Sequence, residues 1–295
     1  MRAWINGLTA ALLVGVVLGL MLTPDGRQWL RHPTLMLGGS ANASASPAPE
    51  APSSVIAAAP TAMPFETPPP AQPPLRARAA DGRLRIGVFG DSMADGLWTA
   101  LYRDLNGDGA EVIKFSEVST GLSRYDYVNI QAKTAGQIAE QPIDAAVILF
   151  GTNDAQGIEL DGAIHAFGTP GWRAAYARRV DDLVALLRSR GVAVYWVGLP
   201  RMKRPSFDEK MRLINEVTAE RMRALNVPYI ETTELTSGPD GDYEAYLADE
   251  AGGRPRLMRA HDGIHMSMAG YLRIGRPVAE RLRADAGLER AEAGA

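Results

Sequence analysis

From Leu84 onward, short apolar runs alternate with longer stretches in which apolar residues recur every third or fourth position. The first pattern predicts buried strands and the second amphipathic helices. Leu84 to Gly90 reads as the first strand, followed by a helix from about Met93 to Leu105 that Asn106-Gly107-Asp108-Gly109 ends. Glu111 to Val118 reads as the second strand, and the loop Ser119 to Arg124 leads to a weaker helical stretch ending near Glu140. Asp144 to Phe150 is apolar almost throughout, as expected of a parallel strand covered on both faces. Beyond a polar loop from Gly151 to Gly168, Thr169 and Pro170 open the clearest helix and Gly191 stops it. Its buried stripe is Trp172, Tyr176, Val180, Leu183, Val184 and Leu187. Val192 to Leu199 is the fourth strand, and Ser206 with Glu209 has the spacing of a capping box for a helix to about Leu225. Met211, Ile214 and Val217 mark that helix's inner face. Val227 to Leu235 is the fifth strand. A long Gly-rich loop then leads to a last helix from about Met268 to Ala284, with Ser267 placed to cap it.

Five strands with intervening helices predict an α/β domain over residues 81 to 286. It is a three-layer, doubly wound fold of flavodoxin-like type with a mainly parallel five-stranded sheet. In such folds ligands bind outside the carboxyl ends of the strands.

The pattern before the domain is different. Residues 3 to 24 carry no charge, and that length suits a single membrane span. A cleaved signal peptide competes, but its apolar region is shorter and small residues follow it at once, whereas here Thr23-Pro24-Asp25-Gly26-Arg27 follows. Residues 1 to 31 are therefore expected to anchor the chain in a bacterial inner membrane, with the domain on the extracytoplasmic side. Arg2 on one flank and Arg27 and Arg31 on the other leave orientation unset by charge. Residues 32 to 80 are mostly Ala, Pro and Ser, a composition that cannot build a core and predicts an extended tether. Residues 287 to 295 read as a flexible tail.

Composition narrows the chemistry. The 295-residue chain has no cysteine, which excludes disulfides and thiolate nucleophiles. A net charge of −3 without a basic run argues against nucleic acid as a partner. The four histidines lack metal-ligand spacing, and His261 with His265 lacks the intervening Glu of a zinc protease helix. Gly87-Val88-Phe89-Gly90 lacks the glycine spacing of a dinucleotide site, and no Gly-x-Ser-x-Gly elbow occurs. No cofactor or metal is expected.

Four blocks remain: Gly90-Asp91-Ser92, Gly121, Gly151-Thr152-Asn153-Asp154, and Asp262-Gly263-Ile264-His265. Alone, each has an ordinary structural explanation. Ser92 could cap a helix, Gly121 could turn the chain, Asn153 could hold a loop, and Asp262-Gly263 is a common turn. Three follow successive strands, the fourth precedes the last helix, and together they can supply a nucleophile, a base and donors. In that order they resemble the SGNH (GDSL) hydrolase superfamily over roughly residues 84 to 285. With its span and Pro-rich spacer, the chain resembles an uncharacterised bacterial branch more than the secreted lipases. The resemblance implies Ser92 as nucleophile, His265 as base and Asp262 as its orienting carboxylate. It also implies an oxyanion hole formed by the backbone N–H groups of Ser92 and Gly121 and the side-chain amide of Asn153. Asp91, Arg124, Asp154 and Arg201 are candidate substrate-binding residues.

The expected activity is a serine esterase that removes small acyl groups, O-acetyl above all, from envelope polysaccharide or peptidoglycan. An O-acetyltransferase using the same three residues and a non-catalytic glycan-binding protein are the competing expectations.

Overall fold

The computed structural model describes residues 71–79, 83–248 and 253–290. The expected membrane span and most of the spacer lie outside these. Among the described residues no helix is long and apolar enough to cross a membrane.

The elements in chain order are α1 (Leu75–Ala79), β1 (Leu84–Gly90), α2 (Ser92–Leu105), β2 (Ala110–Lys114), α3 (Ile130–Glu140), β3 (Ala145–Leu149), β4 (Ile158–Leu160), β5 (Ala163–His165), α4 (Pro170–Ser189), β6 (Ala193–Val197), α5 (Pro205–Ala224), β7 (Tyr229–Ile230), β8 (Tyr246–Leu247), β9 (Arg256–Leu257) and α6 (Met268–Ala286). Five strands form one parallel sheet in the order β2-β1-β3-β6-β7. This is the flavodoxin-like order, in which the winding reverses between β1 and β3. Phe89 pairs with Ile148 and Gly90 with Leu149, so those two strands end side by side at the switch point.

Burial follows the sequence pattern. Ile86 and Val88 on β1 and Val147 and Leu149 on β3 are fully buried. Helices α2 and α6 pack together on one face of the sheet, and α3, α4 and α5 lie in a row on the other. The α2–α6 contact is tight enough that a Cβ on Gly96 would sit 2.1 Å from the Tyr271 ring.

The departures from expectation have local causes. The fifth strand is only Tyr229–Ile230, followed by a 3-10 turn at Glu234–Thr236. There the Glu231 carboxylate accepts from the backbone N–H groups of Thr232 and Thr233, 2.9 Å each, and bends the chain away from the sheet. The Ser206–Glu209 capping box does not form. Helix α5 starts two residues earlier with Pro205, its N-cap Arg204 makes no side-chain cap bond, and Ser206 lies inside the helix. The polar loop before α4 contains the hairpin β4–β5, whose turn residues Asp161 and Gly162 both take positive φ, 53° and 78°. A second small sheet, β8–β9, lies within the long loop before α6.

The spacer boundary at residue 80 is corrected as well, because residues 71–79 are folded onto the domain. Leu75 is 3% exposed. Strand β7 pairs with β6 only from Trp196 onward, leaving the Val194 backbone open. The Gln72 amide fills that edge, donating to Val194 O at 2.9 Å and accepting from Val194 N at 3.2 Å. Its oxygen also accepts from Arg188 Nη2 at 3.0 Å. At the other end Gly287 caps α6 in the left-handed conformation and Leu288 packs on the core, while residues 291–295 lie outside the described part.

Candidate active site

Strand β1 delivers Ser92 to the carboxyl edge of the sheet. Gly90 makes the turn possible, since its φ of 146° suits glycine and a Cβ there would lie 2.0 Å from Leu149 O. Asp91 is the N-cap of α2, its side chain accepting from Met93 N at 2.9 Å. Ser92 is therefore the first helical residue, and its N–H is one of the helix-initial donors with no partner four residues back.

His265 reaches it from the loop before α6. Its Nε2 lies 2.7 Å from Ser92 Oγ, and its Nδ1 lies 2.6 Å from Asp262 Oδ2. With a proton on Nδ1 shared with the carboxylate, Nε2 presents a lone pair to the serine hydroxyl. The other oxygen of Asp262 accepts from the backbone N–H groups of Ile264, 2.8 Å, and His265, 2.9 Å. Partial burial pushes the Asp262 carboxyl up, but the bonds from the imidazole and the two backbone donors outweigh it and hold the group at about 2. It is ionised across the physiological range and fixes the imidazole from one side. Gly263 turns this loop with a φ of 70°, and a Cβ on it would strike Lys203 at 2.3 Å.

The loops after β2 and β3 are tied to the same point. Gly90 O accepts from Glu117 N at 3.0 Å and from Thr120 Oγ1 at 3.4 Å. Asn153 Nδ2 donates to Thr120 O at 2.9 Å, which joins the two loops and leaves the second amide hydrogen uncommitted. Among the described residues, no acceptor meets the Gly121 N–H. Free donors of this kind, on loops tied to the Ser92 turn, are what a developing oxyanion requires.

Three of the four candidate substrate-binding residues do other work. Asp91 is fully buried, and its Oδ2 accepts from Gly151 N, Thr152 N and Thr152 Oγ1 at 3.3, 3.0 and 2.7 Å. It joins β1 to the β3 loop and cannot touch a substrate. Burial raises its carboxyl to about 6, despite these donors, because none of them is charged. Asp154 is also fully buried, accepting at Oδ1 from Ser123 N and Ser123 Oγ, 2.9 Å each, and at Oδ2 from Tyr176 OH at 2.8 Å. Burial raises its pKa, and its place is beneath the Gly121 loop. Arg201 is engaged by Asp208 at 2.9 Å, Asp242 at 3.2 Å and Gly241 O, so it fastens two loops. Arg124 is partly exposed and makes no ion pair among the described residues, donating to Ser119 O at 2.8 Å beside the exposed Tyr127 ring.

Sequence reading missed the residues that hold these loops. Tyr176 reads as part of a core stripe, although its hydroxyl anchors Asp154. Ser123 and Thr152 lie within singled-out segments but carry no signal of their own, because their partners sit 31 and 61 residues away.

The fold with these features at its strand ends is that of the SGNH (GDSL) hydrolases. A lipase/acylhydrolase from Enterococcus faecalis superposes with a TM-score of 0.50 at 21% identity, covering 71% of this chain and 100% of its own. An aryl esterase from M. smegmatis gives 0.47 at 20% identity over 68% and 99% of the two chains. A carbohydrate acetylesterase from Sinorhizobium meliloti gives 0.47 at 18% over 68% and 99%. The chain belongs to the family described as protein of unknown function (DUF459), which matches residues 85–281. No curated protein matches it.

Proposed function

We propose that this chain is a serine esterase. The observation that carries the reading is the unbroken relay from Asp262 through His265 to Ser92, with contacts of 2.6 and 2.7 Å. In the proposed reaction Ser92 Oγ attacks the ester carbonyl carbon as His265 Nε2 takes its proton. The carbonyl oxygen gains the negative charge, facing the Ser92 and Gly121 N–H groups and the Asn153 amide. The bond to the alcohol oxygen then breaks, with His265 returning the proton to it, and an acyl-serine remains. Water attacks this intermediate by the same relay, releasing the acid and restoring Ser92.

Within that reading, the substrate is O-acetylated envelope polysaccharide or peptidoglycan, and the domain works outside the cytoplasm on an inner-membrane tether. Support comes from the apolar stretch at residues 3 to 24 and the Pro-rich spacer.

The test is hydrolysis of p-nitrophenyl acetate by the chain and by Ser92→Ala. A fall of about 10⁴-fold or more in the variant is expected from serine-relay behaviour. Equal rates in the two proteins would end the esterase reading. Acetate release from isolated envelope glycans, with water and sugar acceptors compared, tests the substrate.

A further inference from the structure

Behind the His265 loop lies a cation that the proposed reaction leaves unassigned. Arg259 is 1% exposed, and among the described residues no carboxylate forms an ion pair with it. An unpaired guanidinium in the interior is costly unless its donors are used. Here Nη1 and Nη2 are used on the backbone of two adjoining loops, while Nε has no hydrogen-bond partner among the described residues. Nη2 donates to Ile264 O at 2.8 Å and contacts Met202 Sδ at 3.7 Å, while Nη1 donates to Arg201 O. The guanidinium also lies over the Tyr243 ring, 4.9 Å from its centre.

The Ile264 carbonyl belongs to the same peptide unit as the N–H of His265. That N–H donates to Asp262 Oδ1 at 2.9 Å. One peptide plane is thus gripped at both ends, by a cation on its oxygen and a carboxylate on its hydrogen. The two charges align along the peptide dipole, so each strengthens the other's hydrogen bond. This plane sets the backbone of His265, and through it the direction in which the imidazole leaves the chain. The neighbouring segment is held in the same way, with Lys203 N donating to Gly263 O at 3.0 Å.

We propose that Arg259 is a positioning residue for His265: by clamping the peptide unit between Ile264 and His265 against Asp262, it aims Nε2 at Ser92. The proposal rests on the esterase reading of Ser92, His265 and Asp262. It assigns Arg259 no contact with substrate, so its removal should lower kcat and leave KM nearly alone.

The experiment compares the full chain with Arg259→Met and Arg259→Lys for p-nitrophenyl acetate turnover, fluorophosphonate labelling of Ser92 and thermal unfolding. If the original chain neither hydrolyses the ester nor takes the label, the esterase reading itself fails, before any variant is measured. With that activity in hand, Arg259→Met should lose about 10²-fold in kcat, the scale of an ångström-sized misplacement, with KM changed by less than about threefold. Arg259→Lys, which keeps a charged donor for Ile264 O, should recover at least about tenfold of that loss. A folded Arg259→Met with undiminished kcat, or a Lys variant as slow as the Met variant, overturns the proposal. Should Arg259→Met fail to fold, Tyr243→Leu removes only the ring beneath the guanidinium. A lower kcat at constant KM then supports the clamp, and an unchanged kcat overturns it.

Discussion

A methyl group at Gly121 should disable the proposed oxyanion site without touching Ser92, His265 or Asp262. A Cβ built there lies 2.2 Å from Asp154 Oδ1, where real contacts are not shorter than 3.0 Å. Either the carboxylate or the loop must give by about 0.8 Å. The carboxylate is fully buried and held by Ser123 and Tyr176 at 2.8 to 2.9 Å, so the backbone of residue 121 moves instead. A donor placed about 2.9 Å from an oxyanion would then lie near or beyond the 3.5 Å limit of a useful hydrogen bond. The expected loss is the worth of one such donor, about 10²- to 10³-fold in kcat or about 3 to 4 kcal/mol, with KM nearly unchanged. The assay is steady-state hydrolysis of p-nitrophenyl acetate by Gly121→Ala, by Asp154→Ala and by the double variant. Removing the carboxylate relieves the overlap, so Gly121→Ala should cost much less in the Asp154→Ala background, a coupling above about 0.5 kcal/mol. Gly121→Ala with full kcat would refute the reasoning. So would an equal loss in both backgrounds, since the collision with Asp154 would then not be the cause.

Other outcomes follow from the same contacts. Asp262→Asn should keep the fold and lower kcat by about 10⁴-fold, because an amide can hold the wrong imidazole tautomer; a loss below about tenfold would make Asp262 dispensable. Asp91 should make stability fall with rising pH. Its carboxyl is raised from 3.8 to about 6 in the folded chain, so the native state binds the proton more tightly than the unfolded state does. The stabilisation by protonation is fully present below about pH 4 and gone above about pH 6, a difference of about 3 kcal/mol. In urea unfolding, the gap between the chain and Asp91→Asn should change by roughly that much between those pH values, and a pH-independent gap would count against the buried charge. Gln72→Ala should destabilise by about 2 to 4 kcal/mol, since it strands Val194 N and O and takes a partner from the buried Arg188. A change within about 0.5 kcal/mol would show that residues 71–79 do not belong to the folded unit.

Much of the fold was legible because burial on both faces of a parallel sheet leaves apolar runs, and amphipathic helices leave their own period. Leu84 to Gly90 and Pro170 to Ser189 were readable almost to the residue, the second because Thr169, Pro170 and Gly191 mark its ends with local chemistry. Val227 to Leu235 misled for the converse reason. Its apolar residues are spaced like a strand's, but the Glu231 carboxylate takes the Thr232 and Thr233 N–H groups, Thr232 Oγ1 donates to Gly198 O beyond β6, and the chain turns after Ile230. The spacer boundary failed because Gln72 is polar and Leu75 isolated. Neither has a period; the partners of Gln72 on β6 and α4 lie more than a hundred residues away, and the helix that carries Leu75 packs on α6.

The sequence by itself determined the order of the main strands and helices, the sheet class and the four blocks that carry Ser92, Gly121, Asn153 and Asp262 with His265. All of these are short-range patterns of burial, turning and capping. Only the tertiary structure decided which polar residues near those blocks face the substrate side and which face inward. In sequence Asp91, Asp154 and Asp262 are three acidic residues in turns. In the fold, burial raises the pKa of the first two and makes them fasteners of loops, while an imidazole and backbone donors keep the third ionised beside His265. Tyr176, Ser123 and Arg259 acquire their parts in the same way. A hydrogen bond depends on where two chain segments meet, and no local pattern records that.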